Sequence, residues 1–320
     1  MNILIADSFP ESHRQQLQSL GHNVQMDPTL DEQTLAGAMD DQEILVVRST
    51  RVNAATLDSA KRLKLVIRAG AGTNTIDKAH AAEKGIRVCN VPGANALAVA
   101  ELVIGMMICL DRNIADNVAD LRNGIWNKKK YSQSRGLCGQ NLGILGLGAI
   151  GMAVAERAKA FGMEIFAVRK EGRDEATITR MQTLGITELV STEALLGQCD
   201  VVSLHLPAND QTKGMVNSAF LGQMKPGAML INSSRGELVD EAALLEAMET
   251  RGIRAGLDVF DDEPTSGEGN FNSTIAAHPA VCGTHHIGAS TAQAQTAVAD
   301  GVVTVIQAFE NGEVLNCVNS

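Results

Sequence analysis

Short blocks of hydrophobic residues recur along the chain, separated by stretches in which apolar positions return every three or four residues. The blocks are Ile3–Ala6, Ile44–Val47, Leu65–Ile67, Arg87–Cys89, Leu142–Leu145, Glu164–Val168, Val201–Leu204, Ala228–Ile231 and Arg254–Leu257. Short apolar runs of this kind suit strands buried on both faces, and the intervening periodicity suits helices that cover them. Strand and helix in alternation predict an α/β architecture, with parallel sheets flanked by helices and ligands at the C-terminal ends of the strands. Asn90-Val91-Pro92-Gly93 breaks the pattern and reads as a linker, because Pro and Gly favour turns. After it, Ala94–Leu110 reads as one long, largely apolar helix, suited equally to a core or to a subunit interface. A second linker near Ile287–Ser290 precedes a last helical pattern from Thr291.

One strand-to-helix junction carries recognisable chemistry. In NLGILGLGAIG, from Asn141 to Gly151, the glycines Gly146, Gly148 and Gly151 stand in a GxGxxG frame between the apolar run and a helix-forming stretch. In that context the first glycine permits the tight turn, the second lets a pyrophosphate approach the backbone, and the third lets helix and strand pack closely. Ala149 and Ile150 would offer free N–H groups at the helix start, where the helix dipole also favours an anion. The expected fold is therefore two Rossmann-like, doubly wound parallel-sheet domains. Residues 1–93 with 290–320 would form a substrate domain, and residues 94–289 a dinucleotide-binding domain inserted into it. At the end of the next strand, where NAD-binding units usually carry Asp or Glu for the ribose hydroxyls, this chain has Arg169, 23 positions beyond Gly146, followed by Lys170. A guanidinium can hold a 2′-phosphate that a carboxylate would repel, so the expected cofactor is NADP or NAD, with NADP favoured.

Composition narrows the field. The 320 residues are 45% hydrophobic and 20% charged, as in ordinary globular proteins. A net charge of −10 argues against nucleic acid or an anionic membrane as partner, so any anionic ligand needs a local basic cluster. The six cysteines form no CxxC pair, which fits reduced thiols and a cytoplasmic protein better than a disulfide frame, and points to no metal. The N-terminal MNILIADS lacks a basic segment and a long apolar run, so export is not expected, and Leu97–Leu110 is too short for a membrane span and contains Glu101.

Three later segments place polar residues just past apolar runs: INSSRGELVD around Arg235, GLDVFDDEP around Asp258 and Glu263, and GTHHIGAS around His286. With the glycine turn they form an ordered set that resembles the D-isomer-specific 2-hydroxyacid dehydrogenases over nearly the whole chain. The NxxRGxxVD pattern falls on Asn232–Asp240, DVFxxEP on Asp258–Pro264 and HIGxxT on His286–Thr291, with 28 residues from Arg235 to Glu263 and 23 from Glu263 to His286. The resemblance implies that His286 is the acid/base, Glu263 orients it and stabilises its protonated form, and Arg235 holds the substrate carboxylate and polarises the C2 carbonyl. Imidazole suits that task because it titrates near neutrality. It further implies cofactor contacts from His205, Leu206, Pro207, Ser233, Ser234, Asp258 and Gly288. His205 alone would be a rival base, but the resemblance assigns it to the cofactor loop.

For the substrate, Arg68-Ala69-Gly70-Ala71-Gly72 resembles the family's carboxylate-binding loop, which implicates Ala71 and Gly72. Arg48-Ser49-Thr50-Arg51 and Gly124–Tyr131 resemble segments of the branch that acts on D-3-phosphoglycerate, where they hold the substrate phosphate; here Arg48 and Lys128 would do so. Lys128 stands where that branch has Arg, which replaces a bidentate contact by a point charge. The expected reaction is hydride transfer between a nicotinamide cofactor and D-3-phosphoglycerate or 3-phosphohydroxypyruvate. The alternative is NADPH-linked reduction of glyoxylate or hydroxypyruvate, and a distant third is a nucleotide-sensing protein like the corepressors that resemble these enzymes. A homodimer through the helix from Ala94 is implied by the resemblance. The chain ends before the regulatory domains of the branch's longer members, so serine feedback through such a domain is not expected.

Overall fold

The computed structural model describes residues 1–264 and 268–319. The chain divides into two compact units, Met1–Ala96 with Ala289–Ser320, and Leu97–Gly288. In the first, β1 (Asn2–Ile5), β2 (Asn23–Met26), β3 (Ile44–Val47), β4 (Leu65–Arg68) and β5 (Arg87–Asn90) form a sheet in the order β2-β1-β3-β4-β5. In the second, the strands are β6 (Asn141–Leu145), β7 (Glu164–Val168), β8 (Thr187–Leu189), β9 (Val201–Leu204), β10 (Met229–Asn232), β11 (Arg254–Leu257) and β12 (Val281–Gly283). Their order is β12-β11-β10-β9-β6-β7-β8. Every strand pair within both sheets is parallel. Both orders are doubly wound, and in the second unit the direction of winding reverses between β6 and β9, which opens a crevice at that switch point.

The apolar runs are continuous because successive residues feed opposite cores. Ile3 and Ile5 of β1 pack with Val302 and Ile306 of the helix Ala292–Glu310, whereas Leu4 between them packs with Leu57 and Ala81 on the other face. In β6, Leu142 and Ile144 meet Val103 and Met107 of the helix Ala96–Arg112, and Leu145 joins Leu196 and Leu230 on the far side. Three strands lie outside the predicted runs, and all three are sheet edges: β2, β8 and β12. An edge is covered on fewer sides, so NVQM keeps only Val24 buried and TEL and VCG keep no fully buried residue. The long helix begins at Ala96, two residues later than predicted, because Gly93 takes a left-handed φ of 79°. The next helix, Ile114–Arg122, carries Ile114, Val118 and Leu121 at helical spacing, yet it buries no side chain and leaves that apolar stripe exposed. Among the described residues no helix is long and apolar enough to cross a membrane.

Candidate active site

The glycine turn joins β6 to the helix Ala149–Ala160, and its three glycines have different reasons to lack a side chain. Gly146 has φ +103°, and a Cβ there would lie 2.2 Å from the His205 carbonyl oxygen on β9's exit. A Cβ on Gly151 would lie 2.0 Å from the Gly146 carbonyl oxygen, so the helix rests directly on the turn's backbone. These two are demanded by the fold itself. Gly148, the helix N-cap, is different: a Cβ there would meet nothing within 4 Å, and no side chain caps the helix start. Open space in front of uncapped N–H groups is what an approaching diphosphate requires, so the turn fits a dinucleotide.

Side chains around this crevice follow the strand ends. β7 ends at Val168, and Arg169 and Lys170 follow it exposed, with Arg169 N–H donating to the Leu189 carbonyl at 2.8 Å. Among the described residues neither cationic head has a partner, whereas Arg173 is committed to Glu188 and to the Val168 carbonyl. Just past β9, His205 Nε2 lies 2.9 Å from Ser203 Oγ while Nδ1 is buried without a partner. Burial pushes the His205 imidazole down to about 4, so it is neutral at working pH and poorly suited to act as a base. Leu206 would touch a Cβ on Gly146, and the Pro207 carbonyl accepts from Thr212 Oγ1 at 2.6 Å, which pins the loop beside the turn.

β10, β11 and β12 are neighbours in one parallel sheet, so the segments that leave their C-terminal ends share one edge. After β10, buried Asn232 braces the turn: its Nδ2 donates to the Arg235 carbonyl at 2.8 Å and its Oδ1 accepts from Ser234 N–H at 3.0 Å. Ser234 Oγ donates to the Leu204 carbonyl at 2.7 Å, and Ser233 Oγ is buried without a partner. Arg235 Nη1 donates to the Ser234 carbonyl at 2.6 Å, and the next residue, Gly236, packs so tightly that a Cβ would lie 2.0 Å from the Phe260 carbonyl carbon. Three residues beyond Phe260, Glu263 Oε1 lies 2.7 Å from His286 Nδ1. The Arg235 turn, the Glu263 segment and the His286 loop are thus one packed structure. The second carboxylate oxygen of Glu263 is buried without a partner.

His286 itself has φ 51°, a left-handed conformation that side-chain-bearing residues adopt at a cost. Asp258, 1% exposed, holds it there. One carboxylate oxygen accepts from Thr284 Oγ1 at 2.6 Å and Ile287 N–H at 2.8 Å, and the other accepts from Gly288 N–H at 2.8 Å. Asp258 therefore clamps the loop on both sides of His286, with Thr284 as its aid. Thr284 escaped the sequence reading because β12 has no apolar run to mark the strand that it follows.

The expected substrate residues are more dispersed. In the first unit, Asp7 at the end of β1 accepts from the N–H groups of Arg48, Ser49 and Thr50 at 2.6, 3.2 and 3.2 Å, so the loop's backbone is already bound and only the Arg48 side chain is left to meet an anion. Asp7 was not foreseen, although a polar residue just past a strand is the signal that marked the others. In the β4–β5 connection the Ala71 carbonyl accepts from Asn90 Nδ2 at 2.6 Å, and Gly72 is half-buried beside it. In the second unit Lys128 is exposed with no partner among the described residues, while Lys130 is tied to Asp120 at 3.1 Å. Among the described residues no cluster of three or more His, Cys, Asp or Glu side chains is arranged to hold a metal.

Residues 104–288 match the family model described as the NAD-binding domain of D-isomer-specific 2-hydroxyacid dehydrogenases. A hydroxypyruvate reductase of Thermotoga maritima is 39% identical over 283 residues, which cover 88% of each chain. A D-3-phosphoglycerate dehydrogenase of Methanocaldococcus jannaschii is 36% identical over 322 residues, 100% of this chain but 59% of that protein, so the chain spans little more than half of that relative. Among solved structures, a glyoxylate reductase from Paecilomyes thermophila superposes with a TM-score of 0.86 at 28% identity, covering 99% of this chain and 98% of that one. With the glycine turn, the Arg235 turn and the Glu263–His286 pair on one sheet edge, this chain belongs to the D-isomer-specific 2-hydroxyacid dehydrogenase family.

Proposed function

We propose that the protein is a nicotinamide-dependent oxidoreductase of D-2-hydroxy acids, with His286, Glu263 and Arg235 as its chemical residues. The observation that carries this reading is the 2.7 Å contact between Glu263 and His286 Nδ1, backed by the Arg235 turn. With Nδ1 engaged by the carboxylate, Nε2 is the nitrogen left to take the hydroxyl proton in oxidation and to return it to the carbonyl oxygen in reduction. Glu263 stabilises the imidazolium formed in the first case. The Arg235 guanidinium binds the substrate carboxylate, and its charge counts most as negative charge grows on the C2 oxygen. The cofactor, when bound, supplies the chemistry of hydride exchange with C2. A His286→Asn variant should stay folded and bind NADPH, while kcat falls by several orders of magnitude; near-normal turnover would remove His286 from this role.

Two substrates compete. Arg48 and Lys128 support 3-phosphoglycerate and 3-phosphohydroxypyruvate, whereas the Thermotoga maritima relative, matched over 88% of both chains, supports hydroxypyruvate, and the Paecilomyes thermophila structure supports glyoxylate. We take the phosphorylated substrate as the leading reading, and a panel of the three oxo acids with the wild type and with Arg48→Ala separates them. For the cofactor, unpaired Arg169 and Lys170 support NADP. An Arg169→Asp change should shift the ratio of kcat/KM for NADPH over NADH by roughly tenfold or more towards NADH. A wild type that already prefers NADH would refute the assignment. A homodimer is supported less by the helix Ala96–Arg112, whose apolar side faces its own core, than by the next helix and turn. There Leu121 and Ile125 are about half exposed and Trp126 is 80% exposed, a surface that a second copy would cover. Six free cysteines fit a reducing, cytoplasmic setting.

A further inference from the structure

Four of the six cysteines meet in pairs, Cys89 with Cys317 and Cys109 with Cys282. The first pair stands in a defined backbone register. After the helix Ala292–Glu310 the chain turns back and lays Asn316–Asn319 along β5, where Cys317 bridges Cys89 in antiparallel sense. Asn90 N–H donates to the Asn316 carbonyl at 3.3 Å, and Val318 N–H donates to the Val88 carbonyl at 2.8 Å. These bonds flank the cysteines, which exchange none themselves. Cys89 and Cys317 therefore occupy the non-hydrogen-bonded site of an antiparallel ladder, where Cα atoms approach to about 4.5 Å and side chains stand closest. That spacing lies within the range a disulfide spans, roughly 4.4–6.8 Å. Asn319 fixes the register further, since its Oδ1 accepts from Val88 N–H and its Nδ2 donates to the Ile86 carbonyl, both at 2.8 Å.

We propose that Cys89 and Cys317 form a redox site, which hydrogen peroxide converts to a cross-strand disulfide fastening the segment after the last helix to β5. The two sulfurs have different tasks. Cys317 is partly exposed and meets the oxidant, whereas Cys89 is fully buried, its thiol pushed up to about 12 by burial beside Cys317, and waits as the resolving partner. The Cys317 sulfur attacks a peroxide oxygen, the O–O bond breaks, and sulfenic acid and one water result. The Cys89 sulfur then attacks the Cys317 sulfur; the S–S bond forms, the S–O bond breaks, and the departing hydroxide takes the Cys89 proton as a second water. Two electrons pass from the thiol pair to one peroxide. Cys138, exposed and unpaired, has no resolving partner and is the internal control.

The test treats the whole chain with hydrogen peroxide, alkylates remaining thiols, and maps the unreduced protein by mass spectrometry. Trypsin with Glu-C cuts after Arg87, Glu101 and Glu313, leaving Val88–Glu101 with Cys89 alone and Val314–Ser320 with Cys317 alone. The expected result is a linked pair of these two peptides, lighter by two hydrogens than their sum and separated by dithiothreitol. Oxidation should raise Tm reversibly in the wild type and leave Tm unraised in Cys317→Ser. Free Cys89 and Cys317 under conditions that oxidise Cys138, or Cys317 carried to sulfinic acid beside a free Cys89, would overturn the proposal. Neither readout depends on the substrate or cofactor.

Discussion

Replacing Asp258 by Asn exchanges one carboxylate oxygen for an NH2 group at the point where the chain turns into His286. The native carboxylate accepts three hydrogen bonds, from Thr284 Oγ1, Ile287 N–H and Gly288 N–H. Bonds to a charged acceptor contribute about 1.5–3 kcal/mol each, and neutral ones about 1 kcal/mol. The asparagine oxygen can keep Thr284 and Ile287 at the lower value, while its NH2 group faces the Gly288 N–H, donor against donor, and that bond is lost. The total loss is about 2.5–7 kcal/mol. It has an outlet, because His286 at φ 51° holds about 1–2 kcal/mol of backbone strain that a loosened loop would release. Part of the loss should therefore appear as local disorder of the loop, with the Glu263 contact broken. For units of this size each kcal/mol lost globally lowers Tm by about 2–4 °C, so a fall on the order of 5–10 °C is expected. Misplaced by an ångström, the imidazole should cost about 100-fold in kcat. Thermal unfolding followed by circular dichroism and steady-state kinetics with a 2-oxo acid and NADPH read the two effects. Wild-type Tm together with wild-type kcat would show that Asp258 does not hold the loop, and a rise in cofactor KM alone would make it a cofactor contact instead.

Three further outcomes follow from the site. Gly151→Ala places a Cβ 2.0 Å from a carbonyl oxygen and should destabilise the fold by about 1–3 kcal/mol or more, whereas Gly148→Ala, with nothing within 4 Å, should unfold at nearly the wild-type urea concentration yet bind NADPH roughly tenfold or more weakly; equal stability losses would defeat this division of labour. His205 has a folded pKa of about 4 against 6.5 when unfolded, so the fold favours its neutral form: its contribution is whole above pH 6.5 and lost as pH falls towards 4, by about 2 kcal/mol at pH 5 and about 3 kcal/mol in all. Urea unfolding of His205→Gln should lack that part of the acid slope, and an unchanged slope would place the titrating group elsewhere. His286→Gly should be more stable than His286→Ala by about 1 kcal/mol, because only glycine takes φ 51° without strain, although both lose turnover; the reverse order would mean that the loop relaxes freely.

Legibility in the sequence tracked burial. Central strands such as β3 and β9, with all four residues buried, stand out as apolar runs, and the edge strands β2, β8 and β12 do not. The helix Ile114–Arg122 is the converse case: its apolar spacing, Ile114, Val118 and Leu121, is periodic, but the stripe is exposed in the fold. At the site, Arg235 and Glu263 were visible as polar residues beyond apolar runs, whereas His286 and the roles of all three rested on the family motifs at Asn232–Asp240, Asp258–Pro264 and His286–Thr291. Their joining was not visible, since it depends on Gly236 pressing against the Phe260 backbone and on a left-handed residue that is not glycine. That Asp7 and Asp258 accept from backbone N–H groups of distant loops is a tertiary fact with no mark in the sequence.

The segment laid along β5 also bears on solubility. A sheet edge with open N–H and carbonyl groups is a template on which another chain can grow a strand. At β5 those groups are filled: Val88 by Val318 and Asn319, and Asn90 by Asn316. The opposite edge, β2, sets exposed Asn23 and Gln25 on its rim instead. A purification tag or truncation that lifts Asn316–Asn319 would uncover rungs beside the buried Val88 and Cys89. Aggregation that grows with protein concentration while the site residues stay intact would be the mark of that damage.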